Sequence, residues 1–191
     1  MTEAYFTNPL IFLIQTLFGL YIAVVVIRFL LQWVRADFYN PISQFVVKVT
    51  SPVLNPLRRV IPGYAGLDLS ALALAWLLEA VELALLSFLL GLGHNPLWAL
   101  GWAVPALVGL VINIFLFAIL VRVILSWVNP DPYNPAVSLL DRLTDPIMRP
   151  AQRLIPPIGG IDLSPMAAMI GLVLLQMLVL PPLRWLTGSP F

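Results

Sequence analysis

The chain reads as an all-α membrane protein: four transmembrane helices forming two parallel two-helix repeats, each with short amphipathic interfacial helices in its connecting loop. Three observations predict this. Residues 28–70 recur at 122–164 with a constant offset of 94, and 18 of those 43 positions are identical without a gap; such self-similarity outranks any local reading. The chain is 61% apolar and 10% charged, with a mean hydropathy of +0.98, whereas a soluble domain carries about 25% charge. Lys and Arg gather in or beside two polar loops, with Arg184 alone elsewhere.

The elements follow in order. The first repeat, residues 1–94, holds a span at about 9–34, interfacial helices at about 41–50 and 52–61, and a second span at about 69–92. The second repeat, residues 95–191, holds a span at about 97–128, interfacial helices at about 135–144 and 146–155, and a last span at about 165–186. Each apolar stretch reaches the roughly 20 residues a helix needs to cross a bilayer. A cleaved signal peptide fits the first stretch poorly, because no Lys or Arg precedes it and it is too long. Position 2 is not glycine and cysteine is absent, which removes the lipidation signals, disulfides and thiolate chemistry.

Orientation follows from the cations. Arg28, Arg35, Lys48, Arg58 and Arg59 belong to the first loop and its border; Arg122, Arg142, Arg149 and Arg153 belong to the second. The connector 91–96 and the N-terminus have none, so both long loops are expected on the cytoplasmic side of the membrane and both termini outside. Two spans per repeat give both halves one orientation, related by an axis along the membrane normal.

The loops are patterned. Asn40-Pro41 and Asn134-Pro135 pair a good N-cap with proline at the first helical position, where its missing N–H costs nothing. Ser51-Pro52, Asp145-Pro146 and Ser164-Pro165 repeat the device, and Ser70 keeps the cap without proline. Ile42, Phe45, Val46 and Val49 share one helical side, as do Ala136, Leu139, Leu140 and Leu143, so these helices are expected flat in the interface. Pro56 and Pro150 are expected to break or kink the second short helix of each loop. Trp33, Tyr39, Trp127 and Tyr133 stand where aromatic belts form.

The segment from Arg122 through Trp127, Asp131, Tyr133, Asn134 and Pro135, then Thr144, Pro146, Arg149, Pro150 and Arg153, then Pro156, Gly159, Gly160, Asp162 and Ser164, closely resembles the YggT family of small integral membrane proteins. Arg28, Trp33, Asp37, Tyr39, Asn40, Pro41, Arg59, Gly66 and Asp68 form a looser first copy, with Ala36 and Phe38 where the motif has prolines. The resemblance implies a link to osmotic-stress tolerance and to cell-division or envelope functions in bacteria. In chloroplasts it implies maturation of a photosynthetic cytochrome complex and nucleoid organisation. It implies no agreed reaction or catalytic residue.

Several polar residues are candidates for function. Arg28 and Arg122 lie roughly 10 Å inside the cytoplasmic ends of their helices, where a charge must snorkel, bond loop carbonyls or meet a partner in a polar pocket. Glu79 and Glu82 share a face of the second span, and Val173 and Gln176 replace them in the second repeat. They are expected to pair with Arg28 or Arg122, with a cation- or proton-handling path and a subunit interface as alternatives. Asn113 is a candidate for an interhelical hydrogen bond. Arg59 with Asp68, and Arg153 with Asp162, share a nine-residue separation that suggests a salt bridge or cap closing each turn, or else a docking surface for a partner or lipid headgroups.

His94 is the single histidine, so no His-rich metal site forms, and no nucleophile–base pair or phosphate-cradling glycine loop is present. Asp131, Asp141, Asp145 and Asp162 are acidic enough to hold a metal, but capping and ion pairs account for most of them. No cofactor and no nucleic-acid partner is expected; the expected partners are the bilayer, other membrane proteins and further copies of the chain. The leading expectation is a non-enzymatic scaffold or assembly factor. The alternative is a small ion or osmolyte channel or transporter component using Glu79, Glu82, Arg28 and Arg122.

Overall fold

A computed structural model describes residues 2–64, 66–128, 134–155 and 162–191. These form six α-helices: α1 (Thr2–Trp33), α2 (Pro41–Val60), α3 (Leu69–Leu89), α4 (Ala99–Val128), α5 (Pro135–Leu154) and α6 (Ser164–Thr187), with a 3-10 turn at Pro96–Trp98 before α4. Four are long and apolar enough to cross a membrane: Thr7–Trp33, Leu69–Leu89, Pro96–Val128 and Ser164–Thr187. The α3 and α4 spans are each 39% buried, against 17% for α1 and α6, so α3 and α4 form the centre of the bundle and α1 and α6 its flanks. Phe12, Leu17, Phe117 and Leu178 point outward, where only an apolar solvent suits them.

The principal hydrophobic cluster draws on all six helices, from Ile22 and Val25 of α1 through Leu54 of α2 and Met148 of α5 to Leu172 of α6. Matching positions of the repeats are buried alike: Thr50 and Thr144, Leu54 and Met148, and Ser70 and Ser164 are at most 1% exposed. Near the 3-10 turn a second cluster forms around Trp102. Trp76 there donates Nε1–H to the Leu100 carbonyl at 2.9 Å, and His94 packs on Trp98 and Trp102. Gly109 of α4 faces Leu180 of α6, where an added Cβ would sit in ordinary van der Waals contact at 3.4 Å.

The loop helices differ from expectation. Where the prolines suggested two short helices per loop, α2 and α5 each run unbroken for 20 residues, with Pro52 and Pro56, and Pro146 and Pro150, inside them. Ser51 and Asp145 are therefore helical residues and not caps. Proline removes the bond its N–H would give to the carbonyl four residues back. Extra donors enter the chain beside that gap: the Thr50 hydroxyl donates to the Val46 carbonyl at 2.7 Å and the Thr144 hydroxyl to Leu140 at 2.8 Å.

The expected caps at Asn40 and Asn134 are present, accepting from the Ile42 and Ala136 N–H groups at 2.9 Å. Asn40 also donates its Nδ2–H to the Pro135 carbonyl at 2.7 Å, so α2 and α5 meet at their N-terminal ends. Ser70 and Ser164 do not act as caps. Asp68 accepts from the Ala71 N–H and Asp162 from the Ser164 N–H, while both serine hydroxyls donate to those carboxylates. A carboxylate is acceptor-only and charged, which suits a helix N-terminus better than a hydroxyl.

Candidate functional site

Each loop helix is fastened to its preceding span by an arginine. Arg28 Nη1 donates to the Thr50 hydroxyl, to the Ser51 hydroxyl at 3.2 Å and to the Val47 carbonyl at 3.3 Å. Arg122 Nη1 donates to the Thr144 hydroxyl at 2.8 Å, and its Nε lies 2.9 Å from an Asp141 carboxylate oxygen. Arg28 is 3% exposed, whereas the Arg122 side chain is 27% exposed. Both arginines thus bond the loop helix, Arg28 through one carbonyl and two hydroxyls and Arg122 through side chains alone, and neither pairs with Glu79 or Glu82.

The second fastening is at the other end of α2. Arg58, not Arg59, forms the ion pair with Asp68, and the Ser70 hydroxyl reaches back to the Ile61 carbonyl at 3.2 Å. In the second repeat Gln152, not Arg153, donates to Asp162, at 3.4 Å. Helical phase explains the correction. The buried line Val46, Thr50, Leu54 advances four residues at a time and arrives at position 58, leaving Arg59 turned roughly 100° away. Burial opposes ionisation of Asp68, but hydrogen bonds from Arg58, Ser70 and Ala71 and the Arg58 charge outweigh it and hold the carboxyl below its usual range. The Ser164 hydroxyl and N–H lower Asp162 likewise.

Three spaces open beside these fastenings. A crevice of about 460 Å³ is lined by Arg28, Gln32, Phe38, Gln44, Val47, Lys48 and Arg58. Its counterpart in the second repeat, about 480 Å³, includes Arg122, Ser126, Gln152 and Asp162. A groove of about 360 Å³ along α5 carries Arg142, Asp145, Arg149 and Arg153, with Arg149 bonded to Asp145 at 2.6 Å.

The CCB3/YggT family model matches residues 7–89 and again 101–183, two stretches displaced by the same 94 residues as the internal repeat. The chain belongs to the CCB3/YggT family. An uncharacterized protein of Pseudomonas aeruginosa is 46% identical over 182 residues, covering 94% of this chain and 92% of that one. The uncharacterized protein YggT of Escherichia coli K12 is 40% identical over 171 residues, or 89% and 88% of the two chains. The uncharacterized protein ycf19 of Guillardia theta is 38% identical over 66 residues, covering 34% of this chain and 69% of that one. No solved structure matches.

The remaining family-motif residues fall in three groups. Trp33 and Trp127 are exposed, 47% and 82%, and Tyr39 is 89% exposed; Trp33 also meets Phe115 edge-on at 6.4 Å. Asp37 accepts from the Tyr39 N–H at 2.8 Å, and Gly66, at φ +83°, accepts from Gln32 Nε2 through its carbonyl. Asp131, Tyr133, Pro156, Gly159 and Gly160 lie outside the described residues.

The pairing expected of the glutamates is overturned. Glu82 is buried in α3 and Glu79 half-buried, and among the described residues neither has an ion pair. Among the described residues Asn113 bonds no neighbouring helix; it lines an otherwise apolar crevice of about 500 Å³ between α1, α4, the start of α2 and the N-terminal half of α5. Among the described residues no three acidic or histidine side chains gather as a metal site; Asp141, Asp145 and Asp162 are engaged as given above. The bonds made by Arg58, Asp141 and Ser51 escaped the sequence reading, which named these residues in other roles. The four-residue step through Val46, Thr50 and Leu54 was the signal for Arg58.

Proposed function

We propose that this CCB3/YggT-family chain is a non-enzymatic inner-membrane scaffold or assembly factor. In this reading α2 and α5 are amphipathic straps in the cytoplasmic interface, termini outside, presenting a shared surface to another membrane protein or to a further copy of the chain. A bearing on osmotic tolerance or envelope maintenance follows from the family resemblance. The observation that carries the reading is the double fastening of each strap. A loop helix held by Arg28–Thr50 and Arg58–Asp68, or by Arg122–Thr144 and Gln152–Asp162, is a stiff display surface and not a linker. The Asn40–Pro135 hydrogen bond supports a common leaflet for the two straps.

Cysteines introduced at Lys48 and Ser138 test the topology: both should react with impermeant reagents only from the cytoplasmic side. Crosslinking in native membranes tests the scaffold. A partner should be captured, and capture should fall when Arg149 and Arg153 are both replaced by glutamine.

One observation favours a second reading, an ion-conducting component: buried Glu82 lacks an ion-pair partner among the described residues. Against it, Arg28 and Arg122 are engaged by the straps and do not extend a polar line from Glu79 and Glu82. Cation flux in proteoliposomes, lost on Glu79→Gln with Glu82→Gln, would replace the scaffold reading with this one.

A further inference from the structure

The two arginine fastenings differ in charge compensation at the guanidinium Nε. Arg122 gives Nη1 to Thr144 and directs Nε at the Asp141 carboxylate, 2.9 Å away. Arg28 gives Nη1 to Thr50, Ser51 and the Val47 carbonyl, and the residue that matches Asp141 is Val47, which brings no charge. The Arg28 Nε and Nη2 groups have no hydrogen-bond partner among the described residues. Arg28, a residue only 3% exposed, therefore has no counter-ion within bonding distance among the described residues, and Asp68, the carboxylate at the start of α3, is already bonded to Arg58. An isolated buried charge is costly unless something neutralises it.

Its surroundings are suited to supplying that neutralisation. The crevice against Arg28 has about 460 Å³ of space and brings Lys48, Arg58, Gln32 and Gln44 to the same opening. One of its three cations is matched by Asp68 and two are not. Lys48 is exposed, so the opening is accessible. Guanidinium forks with an ammonium nearby favour multidentate oxyanions.

We propose that this crevice binds a phosphate-class anion, whose oxygen stands at Arg28 Nε where the Asp141 carboxylate stands at Arg122. The second repeat carries its counter-ion in its own sequence; the first takes one from outside. A phospholipid headgroup and dissolved phosphate offer the same chemistry. The inference does not depend on what the straps carry.

The test uses the full chain in detergent, following thermal unfolding while inorganic phosphate replaces chloride at constant ionic strength. The measurement is then repeated in vesicles of phosphatidylglycerol and of phosphatidylcholine. The wild-type midpoint should rise saturably with phosphate, with phosphatidylglycerol, or with both. A response to phosphatidylglycerol alone identifies the lipid as the source, and a response to phosphate shows that the headgroup chemistry suffices.

Val47→Asp, which installs the second repeat's counter-ion, should abolish the response. Lys48→Gln should raise the half-saturating concentration about fivefold; because Lys48 is exposed, this variant carries the test if Val47→Asp does not fold. Asp141→Val should create a second responsive site. No saturable response in the wild type, or an undiminished one in Lys48→Gln, overturns the proposal.

Discussion

Thr50 is bonded from two directions: it accepts the Arg28 guanidinium and donates its own proton to the Val46 carbonyl at 2.7 Å. Thr144 repeats the arrangement between Arg122 and the Leu140 carbonyl. One hydroxyl thus joins a span to a strap and supports the strap's backbone next to a proline. The same shape without the hydroxyl should show its worth. Thr50→Val leaves a buried guanidinium short of an acceptor and should cost about 2 kcal/mol. Thr144→Val should cost about half of that, because Arg122 is partly exposed and keeps Asp141. Paired unfolding curves in one detergent would decide; an equal loss at both sites contradicts the difference in burial.

Arg58 and Arg59 are adjacent and chemically identical, yet only the first reaches Asp68. Arg58→Ala should destabilise by about 1 kcal/mol, a modest value because that side chain is 38% exposed. Arg59→Ala should change stability by less than about 0.5 kcal/mol. Arg58→Gln, which copies Gln152 of the second repeat, should fall between them.

Asp68 gives the fold an acid sensitivity of known sign. Its carboxyl titrates lower in the folded chain than the roughly 3.9 of an unfolded aspartate. The stabilisation it provides is therefore complete above the unfolded value and disappears as pH falls through the folded one. Asp68→Asn should be less stable than wild type at neutral pH, and the gap should close as the solution is acidified below about pH 4. Denaturation midpoints followed across that interval would check this; a constant gap would mean that the residue's charge is irrelevant.

Arg35 ends α1 in a left-handed conformation, φ +53°, with the Ala36 N–H closing onto the Leu31 carbonyl at 2.8 Å. That geometry favours glycine, and a side chain there carries a penalty. Arg35→Gly should stabilise the chain by about 1 kcal/mol, and Arg35→Val should destabilise it. Differential scanning calorimetry of the three proteins gives the order directly.

Much of the architecture was legible because hydropathy and repetition are properties of the sequence itself. A run of apolar residues long enough to cross a bilayer has few alternatives to a span, and the 94-residue offset announced two copies before any contact was known. Asn40-Pro41 and Asn134-Pro135 were equally readable, since a cap and its proline act within one turn. The prolines at 52, 56, 146 and 150 misled for a corresponding reason. Their cost is local, whereas the fastenings that hold the helix near them, from Arg28 to Thr50 and from Arg122 to Thr144, come from another helix.

What the sequence by itself determined is where the chain is apolar, where it is charged, and that it carries the motif twice. Only the tertiary structure decided which arginine meets which acceptor. Arg58 rather than Arg59 takes Asp68, Arg28 takes Thr50 rather than a glutamate, and Arg122 finds an aspartate that the first repeat lacks. Those choices depend on helical phase and on which side chains are brought within about 3 Å by packing, and distance in space is not written along the chain.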